Sequence, residues 1–148
     1  MKKLTILFDL DGTLVDSAPD LMNAHNHVMK KFGYETKTTE DIRNLAGKGA
    51  SVMIGRSIWG QAKKEFGKVI DEKIKKQMVK EFIDYYGKNI AIESKLIKGA
   101  TEFLDWSKKN NIQMGICTNK QEHVAINLLK EINCLLYTSP SPRDLLKS

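Results

Sequence analysis

The 148-residue sequence contains only two cysteines, Cys117 and Cys134, and no long apolar run. Two cysteines exclude the disulfide framework of small secreted domains, and their spacing is not that of a zinc site. No segment approaches the roughly 20 apolar residues that span a bilayer. The opening residues Met1–Leu4 lead directly into a strand-like run, without the apolar region and cleavage site of a signal peptide. We therefore expect a cytoplasmic protein with no membrane partner.

The charge is moderate and does not cluster. Hydrophobic residues make up 41% of the chain and charged residues 28%, which is typical of a globular protein. The net charge is +6, but lysines are interspersed with acidic residues, as in Gln61–Lys80. A solvated helical face explains this pattern better than a nucleic-acid patch, so we expect no nucleic-acid partner. Attraction of small anionic substrates is compatible with it.

The order of strand and helix patterns predicts an α/β fold with an insertion. Leu4–Leu10 has the apolar run of a strand buried on both faces of a parallel sheet, and Ile112–Cys117 predicts a second strand, with Cys117 as a buried small hydrophobe. The helical patterns between and beside them cover Ala18–Phe32, Thr39–Leu45, Val52–Phe66, Asp71–Tyr86 and Ala100–Lys109. The helical segment between the two predicted strands is far longer than a single crossover connection between parallel strands needs. We predict a partial doubly wound (Rossmann-like) parallel-sheet core over residues 1–16 and 98–133, and an all-helical cap domain over residues 17–97.

The end of the chain departs from this pattern. Cys134–Asp144 reads CLLYTSPSPRD, which equals the in-frame translation of a widely used transposase-type sequencing adapter. The alternative is a disordered tail rich in serine and proline. We interpret residues 134–148 as a non-native tail and exclude them from the fold prediction.

The first candidate site is the string DLDGTLVDS at Asp9–Ser17. Positions i and i+2 of a strand point the same way, so Asp9 and Asp11 can project together from the carboxyl end of the strand, where α/β sheets bind ligands. Two carboxylates this close repel each other unless a cation or a proton compensates them, and a bound Mg²⁺ could do so while holding a phosphate. Gly12 permits a sharp turn after the pair. A solvated loop or a helix N-cap is the alternative for a shorter D-x-D pattern.

The second candidate site ends the strand IQMGICTNK. A hydroxyl and backbone N–H groups at Thr118 and Asn119 could hold phosphate oxygens. Taken alone, such a pair after a strand is more often a turn or a helix cap. We interpret Lys120 as a helix-start residue.

Together, these two segments resemble the first and second motifs of the haloacid dehalogenase-like phosphatase superfamily. The resemblance implies that Asp9 is a nucleophile forming an aspartyl-phosphate, and that Asp11 is general acid and then base. It also implies Mg²⁺ as cofactor, held by the Asp9 carboxylate and the Asp11 backbone carbonyl. Thr118 is then the phosphate-binding hydroxyl.

The segment LAGKGASVMIGRSI, at Leu45–Ile58, is similar to the cap loop and following helix of the phosphoglycolate phosphatase branch. Leu96–Gly99 fits that branch's return from cap to core, although Lys98 stands where proline is usual. The resemblance implies a small phosphorylated metabolite as substrate, 2-phosphoglycolate first, with Lys48 pairing with its carboxylate. An exposed loop lysine is the alternative for Lys48. A homodimer is compatible with this reading.

Two motifs of the superfamily have no match here: the catalytic lysine and the acidic motif that completes the Mg²⁺ site. Asp144 is no substitute, because it lies in the adapter-like segment. We therefore expect a C-terminally truncated chain with an uncovered strand edge, which folds poorly and hydrolyses phosphate esters slowly. The alternatives are another sugar-phosphate phosphatase, a phosphomutase, or an inactive binding module that retains the fold.

The remaining polar residues suggest structural roles. His25, His27 and His123 lie on helical segments without ligand-like neighbours, which favours surface or interface packing. Asp16 and Ser17 could cap the first helix or form a hinge rather than take part in the chemistry.

Overall fold

A computed structural model describes residues 3–65, 71–133 and 146–147. The first half contains strands β1 (Thr5–Phe8) and β2 (Val15–Asp16) and helices α1 (Ala18–Phe32), α2 (Thr39–Leu45), α3 (Ala50–Glu65) and α4 (Glu72–Lys88). The second half contains β3 (Lys95–Leu96), α5 (Ala100–Lys109), β4 (Gln113–Cys117), α6 (Glu122–Glu131) and β5 (Leu146–Lys147).

The main sheet is parallel, in the order β1-β4-β5. Phe8 is the register partner of Ile116, so β1 and β4 end at the same edge. This confirms the predicted α/β fold with a parallel sheet. The short strand β5 pairs with Ile116 and Cys117, although it belongs to the segment interpreted as a non-native tail. The rest of that segment, residues 134–145 and 148, lies outside the described residues, so the interpretation stays a prediction.

The prediction that β1 is buried on both faces is wrong. Leu4 and Leu7 are 61% and 65% exposed. Phe8, in contrast, packs edge-to-face on Phe103 of α5, with 5.9 Å between ring centroids. Burial on both faces needs cover on both sides of the sheet, and the described residues cover one side of β1. Cys117 is also exposed rather than buried, because it points to the side of β4 opposite the buried Ile116.

The helices follow the sequence prediction closely. Helix α1 has the predicted bounds, carries proline in its first turn and ends at Gly33, whose φ of 76° is left-handed. Helix α2 also has the predicted bounds. Thr38 Oγ1 accepts a hydrogen bond from Asp41 N while an Asp41 carboxylate oxygen accepts one from Thr38 N, which forms a capping box.

Two apolar clusters hold the described residues together. The first lies among helices α1 to α4 and the start of α6, and consists of Leu21, Ala24, Val28, Met29, Ile42, Met53, Ile54, Ile58, Met78, Phe82, Tyr86 and Val124. The second lies between the sheet and helices α5 and α6 and consists of Leu10, Leu14, Val15, Ala100, Leu104, Ile116, Ala125, Leu128 and Leu129. The predicted division into core and cap stays a prediction.

The chain enters and leaves the helical segment through one short antiparallel ribbon. In it, Val15 of β2 faces Leu96 of β3. Just beyond the ribbon, the buried Asp20 carboxylate accepts hydrogen bonds from the backbone N–H groups of Glu93 and Ser94 and from the Ser94 hydroxyl. These bonds tie the first turn of α1 to the returning chain.

Two of the histidines lie within the helical segment. His25 is buried, and its ring nitrogens lie 2.8 Å from Ser57 Oγ and 3.0 Å from Asn26 Oδ1. Burial lowers its pKa. His27 stacks on Tyr85, with 4.1 Å between ring centroids. None of the helices in the described ranges combines the length and apolar character needed to cross a membrane.

Candidate active site

The exposed side chain of Asp9 follows directly after β1, at the carboxyl edge of the sheet. Its Oδ1 accepts a hydrogen bond from the backbone N–H of Leu10, at 2.7 Å. The chain then turns sharply at Gly12, whose φ is 78° and whose N–H donates to the carbonyl of Val15 at 2.8 Å. The turn predicted at Gly12 is confirmed. Only a residue that tolerates a left-handed backbone fits this position without strain.

Asp11 lies within the site, with a side chain only 11% exposed. Its Oδ1 accepts a hydrogen bond from the Ser17 hydroxyl and lies 3.2 Å from Lys120 Nζ. Ser17 occupies the N-cap position of α1 but makes no capping side-chain bond, so a capping role for its hydroxyl is wrong. The neighbouring Asp16 pairs with Arg43 of α2, at 2.9 Å.

Lys120 is the residue whose position the sequence interpretation missed most clearly. It does precede α6, but its side chain is only 8% exposed. Besides contacting Asp11, its Nζ donates to Tyr86 Oη at 3.2 Å and lies 4.4 Å from the centroid of that ring. Burial lowers the pKa of Lys120, while the negative charge of Asp11 acts in the opposite direction.

The two residues that follow β4, Thr118 and Asn119, make hydrogen bonds to the neighbouring backbone and to the helical segment. Thr118 is buried, and its Oγ1 accepts a hydrogen bond from Lys120 N at 3.1 Å. Asn119 Nδ2 donates to the carbonyl of Gly47 at 2.8 Å. Gly47 lies in the glycine-rich loop between α2 and α3, so this bond closes the loop against the end of the sheet.

A cavity of about 330 Å³ lies between the end of the sheet and the helical segment with its glycine-rich loop. Its polar wall includes Lys48, Asp11 and the consecutive residues Thr118, Asn119 and Lys120, and most of its apolar wall comes from α3 and α4. A second cavity of about 380 Å³ is lined by Gly12 and Arg43, and it shares Asp11 with the first. Of the predicted site residues, the structure brings Lys48, Asp11, Thr118 and Asn119 together in the first cavity. Gly12 faces the second, and among the described residues Asp9 stands outside the lining of both.

The acidic residues of the site can be compared with the ligands that the expected Mg²⁺ requires. In the described part of the chain, no group of three or more His, Cys, Asp or Glu side chains could hold a metal ion. The Asp9 carboxylate and the Asp11 backbone carbonyl supply two oxygen donors, and Mg²⁺ commonly uses one or two carboxylates together with other oxygen ligands, water and substrate phosphate. The donor set therefore fits Mg²⁺. Part of the compensation for Asp11 comes from Lys120, a contribution that the sequence prediction did not include.

Comparison with curated proteins finds relatives named phosphoglycolate phosphatase. The chain is 36% identical over 131 residues to a phosphoglycolate phosphatase from Agrobacterium fabrum, an alignment that covers 88% of this chain and 54% of the relative. It is 39% identical over 114 residues to a phosphoglycolate phosphatase from Haemophilus influenzae, covering 76% of this chain and 50% of the relative. The chain thus spans about half the length of these relatives.

The fold and the family model agree with these relatives. A crystal structure described as a predicted phosphoglycolate phosphatase from Haemophilus somnus superposes with a TM-score of 0.82 at 29% identity, covering 93% of this chain and 60% of that one. The family model described as haloacid dehalogenase-like hydrolase matches residues 6–138. The chain therefore belongs to the haloacid dehalogenase-like hydrolase family.

Proposed function

We propose that this chain carries the nucleophile and part of the phosphate-binding site of a phosphatase that acts on a small phosphorylated metabolite, with 2-phosphoglycolate as the favoured substrate. The proposal is supported by the family and by relatives named phosphoglycolate phosphatase. A cytoplasmic location and a homodimer are part of the same proposal and stay predictions from the sequence.

One observation carries the proposal. An exposed carboxylate, Asp9, and a largely buried one, Asp11, follow β1 at the edge where the neighbouring strand presents Thr118 and Lys120. A nucleophile must reach phosphorus, so exposure suits Asp9. A group that transfers protons needs a fixed position, so the contacts of Asp11 with Ser17 and Lys120 suit that role.

The reaction follows from these positions. A carboxylate oxygen of Asp9 attacks phosphorus, the bond from phosphorus to the ester oxygen breaks, and Asp11 gives its proton to the departing oxygen. Water then attacks the aspartyl-phosphate, Asp11 takes a proton from that water, and cleavage of the phosphorus–Asp9 bond releases inorganic phosphate and restores Asp9. Thr118 and Lys48 line the cavity next to this edge, and the positive charge of Lys48 would attract the anionic substrate.

Asp9, through its carboxylate, and Asp11, through its backbone carbonyl, would hold Mg²⁺. The bound ion would offset the negative charge of the phosphoryl group during transfer. Lys48 belongs to the glycine-rich loop opposite Thr118 and would pair with the carboxylate of 2-phosphoglycolate, which hexose phosphates lack.

Replacement of Asp9 by asparagine tests the proposal. We expect Asp9→Asn to reduce Mg²⁺-dependent hydrolysis of 2-phosphoglycolate by about 1,000-fold or more, because the amide is not a nucleophile. The fold should be retained, since the Asp9 side chain is exposed and, among the described residues, accepts a hydrogen bond only from its neighbour's N–H. Phosphate release is measured with Mg²⁺ and with EDTA, using hexose phosphates as competing substrates.

Asp84→Asn is the matched control, because Asp84 is an exposed carboxylate paired with Lys80 on α4. It should leave the rate unchanged. Hydrolysis at the unmodified rate by Asp9→Asn would refute the role of Asp9. The absence of any EDTA-sensitive phosphatase activity in the unmodified chain would refute the proposed function for this chain.

A further inference from the structure

The side chain of Lys120 joins two parts of the molecule that are distant in sequence. It starts at the end of β4, and its Nζ reaches Asp11 Oδ1, in the loop after β1, at 3.2 Å. The same nitrogen donates to Tyr86 Oη at 3.2 Å. Tyr86 belongs to α4 of the helical segment and is 2% exposed. One ammonium group therefore contacts the sheet edge and the helical segment at once.

The contacts of Asp11 are divided unevenly between its two carboxylate oxygens. The Ser17 hydroxyl and Lys120 Nζ both approach Oδ1. Within the described residues, no hydrogen bond is made to Oδ2. Two donors on one oxygen fix the orientation of the carboxylate plane and leave the other oxygen available for proton transfer.

We propose that Lys120 is a positioning residue, which orients Asp11 for proton transfer and does so only while α4 is packed against the sheet edge through Tyr86. This inference rests on the proposed function. Because Lys120 Nζ is enclosed, its charge needs both partners. Withdrawal of Tyr86 would free the ammonium to move, and Asp11 would lose one of the two donors that orient it. The packing of α4 that closes the cavity therefore also positions the proton-transfer group, Asp11.

The test compares two substrates that differ in their need for a proton. The alkoxide that leaves 2-phosphoglycolate needs a proton from Asp11, whereas the p-nitrophenolate that leaves p-nitrophenyl phosphate does not. The ratio kcat/KM reports the steps up to departure of the leaving group. We therefore expect Lys120→Met to lower kcat/KM for 2-phosphoglycolate by about 100-fold and that for p-nitrophenyl phosphate by less than about threefold.

Three further variants separate positioning from general damage. Lys120→Arg keeps a donor that can reach both partners, so it should recover 2-phosphoglycolate hydrolysis to within about tenfold of the unmodified chain. Tyr86→Phe removes only the hydroxyl and should lower kcat/KM for 2-phosphoglycolate by about fivefold, again selectively. Lys80→Met is the control, because Lys80 also pairs with an aspartate but is 81% exposed. It should change neither substrate.

Each outcome has a defined meaning. Equal losses on both substrates in Lys120→Met and Tyr86→Phe would overturn the positioning role and leave the proposed function standing. If circular dichroism shows that Lys120→Met does not fold, Tyr86→Phe and Lys120→Arg provide the test. Equal losses on the two substrates in each of these variants would then overturn the inference. A chain without hydrolysis of either substrate would refute the proposed function and the inference with it.

Discussion

The hydroxyl of Thr118 accepts a hydrogen bond from Lys120 N, at 3.1 Å, and Thr118 itself is buried at the end of β4. The backbone around Lys120 therefore depends on this hydroxyl. The proposed phosphate site depends on it as well, because Thr118 lines the cavity beside Asp11 and Lys48.

Thr118→Val should weaken both stability and phosphate binding. Valine has nearly the same shape and leaves the part-buried N–H of Lys120 without its acceptor, so the free energy of unfolding should fall by about 1 kcal/mol. The inhibition constant of inorganic phosphate should rise by about fivefold or more, since one hydrogen bond to the ligand is lost. Urea unfolding and product inhibition measure the two effects.

Thr101→Val is the control, because Thr101 is exposed on α5. It should change neither quantity. An unaltered inhibition constant of inorganic phosphate in Thr118→Val would contradict the role of Thr118 in phosphate binding, whether or not the stability of the variant falls.

For individual residues, the sequence predicted which residues lie near one another better than it predicted which groups their side chains contact. The order of the strands placed Asp11 and Thr118 at one sheet edge, because parallel neighbours end together. The path of the Lys120 side chain was missed, because a long flexible side chain can point to solvent or fold back, and only packing decides. Cys117 was misplaced for a related reason, since strand periodicity gives alternation but not which side is covered.

Among the secondary-structure elements, helices were predicted almost to the residue and short strands were missed. Helices α1 and α2 carry local signals, namely a proline in the first turn of one and the Thr38 capping box of the other. The ribbon of β2 and β3 has two residues per strand. A segment of that length has no periodicity to detect, and its pairing joins positions that are far apart in sequence.

The contact between the end of β4 and the glycine-rich loop gives a prediction at the scale of elements. Asn119 Nδ2 donates to the carbonyl of Gly47 at 2.8 Å, and Gly49 approaches the same asparagine. In Asn119→Ala the loop that carries Lys48 loses this bond and samples open positions, so substrate binding must first close it. The KM for 2-phosphoglycolate should rise by about five- to tenfold, with kcat within about twofold.

Asn110→Ala is the matched control. Asn110 Nδ2 also donates to a backbone carbonyl, that of Trp106, at 2.8 Å, but within the end of α5 and away from the cavity. Its kinetic constants should not change. Loss of kcat without a change of KM in Asn119→Ala would contradict a role in closing the loop.

For the molecule as a whole, the described residues leave one side of the sheet uncovered. No described strand pairs with the free edge of β1, and Leu7 on that strand and Leu4 just before it are largely exposed. On α5, Phe103 and Trp106 stack with 5.7 Å between ring centroids and are 43% and 52% exposed. An open strand edge next to apolar side chains is a template for association between chains.

Leu7→Thr should therefore reduce self-association of this chain. Threonine keeps the preference for extended backbone and removes apolar surface from the edge strand. Leu7 also lies over Gly115 of β4, and loss of that contact should cost about 1 kcal/mol of stability at most. Size-exclusion chromatography with light scattering, over a range of protein concentrations, should show a smaller aggregated fraction for Leu7→Thr than for the unmodified chain.

The control for this experiment is Ile92→Thr. Ile92 is 67% exposed, as exposed as Leu7, but it lies between α4 and β3 rather than on a sheet edge. If exposed apolar area alone drives association, both substitutions should reduce the aggregated fraction to the same extent. If the open edge of β1 is the cause, only Leu7→Thr should do so, because only there does the apolar side chain adjoin unpaired backbone N–H and C=O groups. Equal effects of the two variants would contradict the assignment of association to β1.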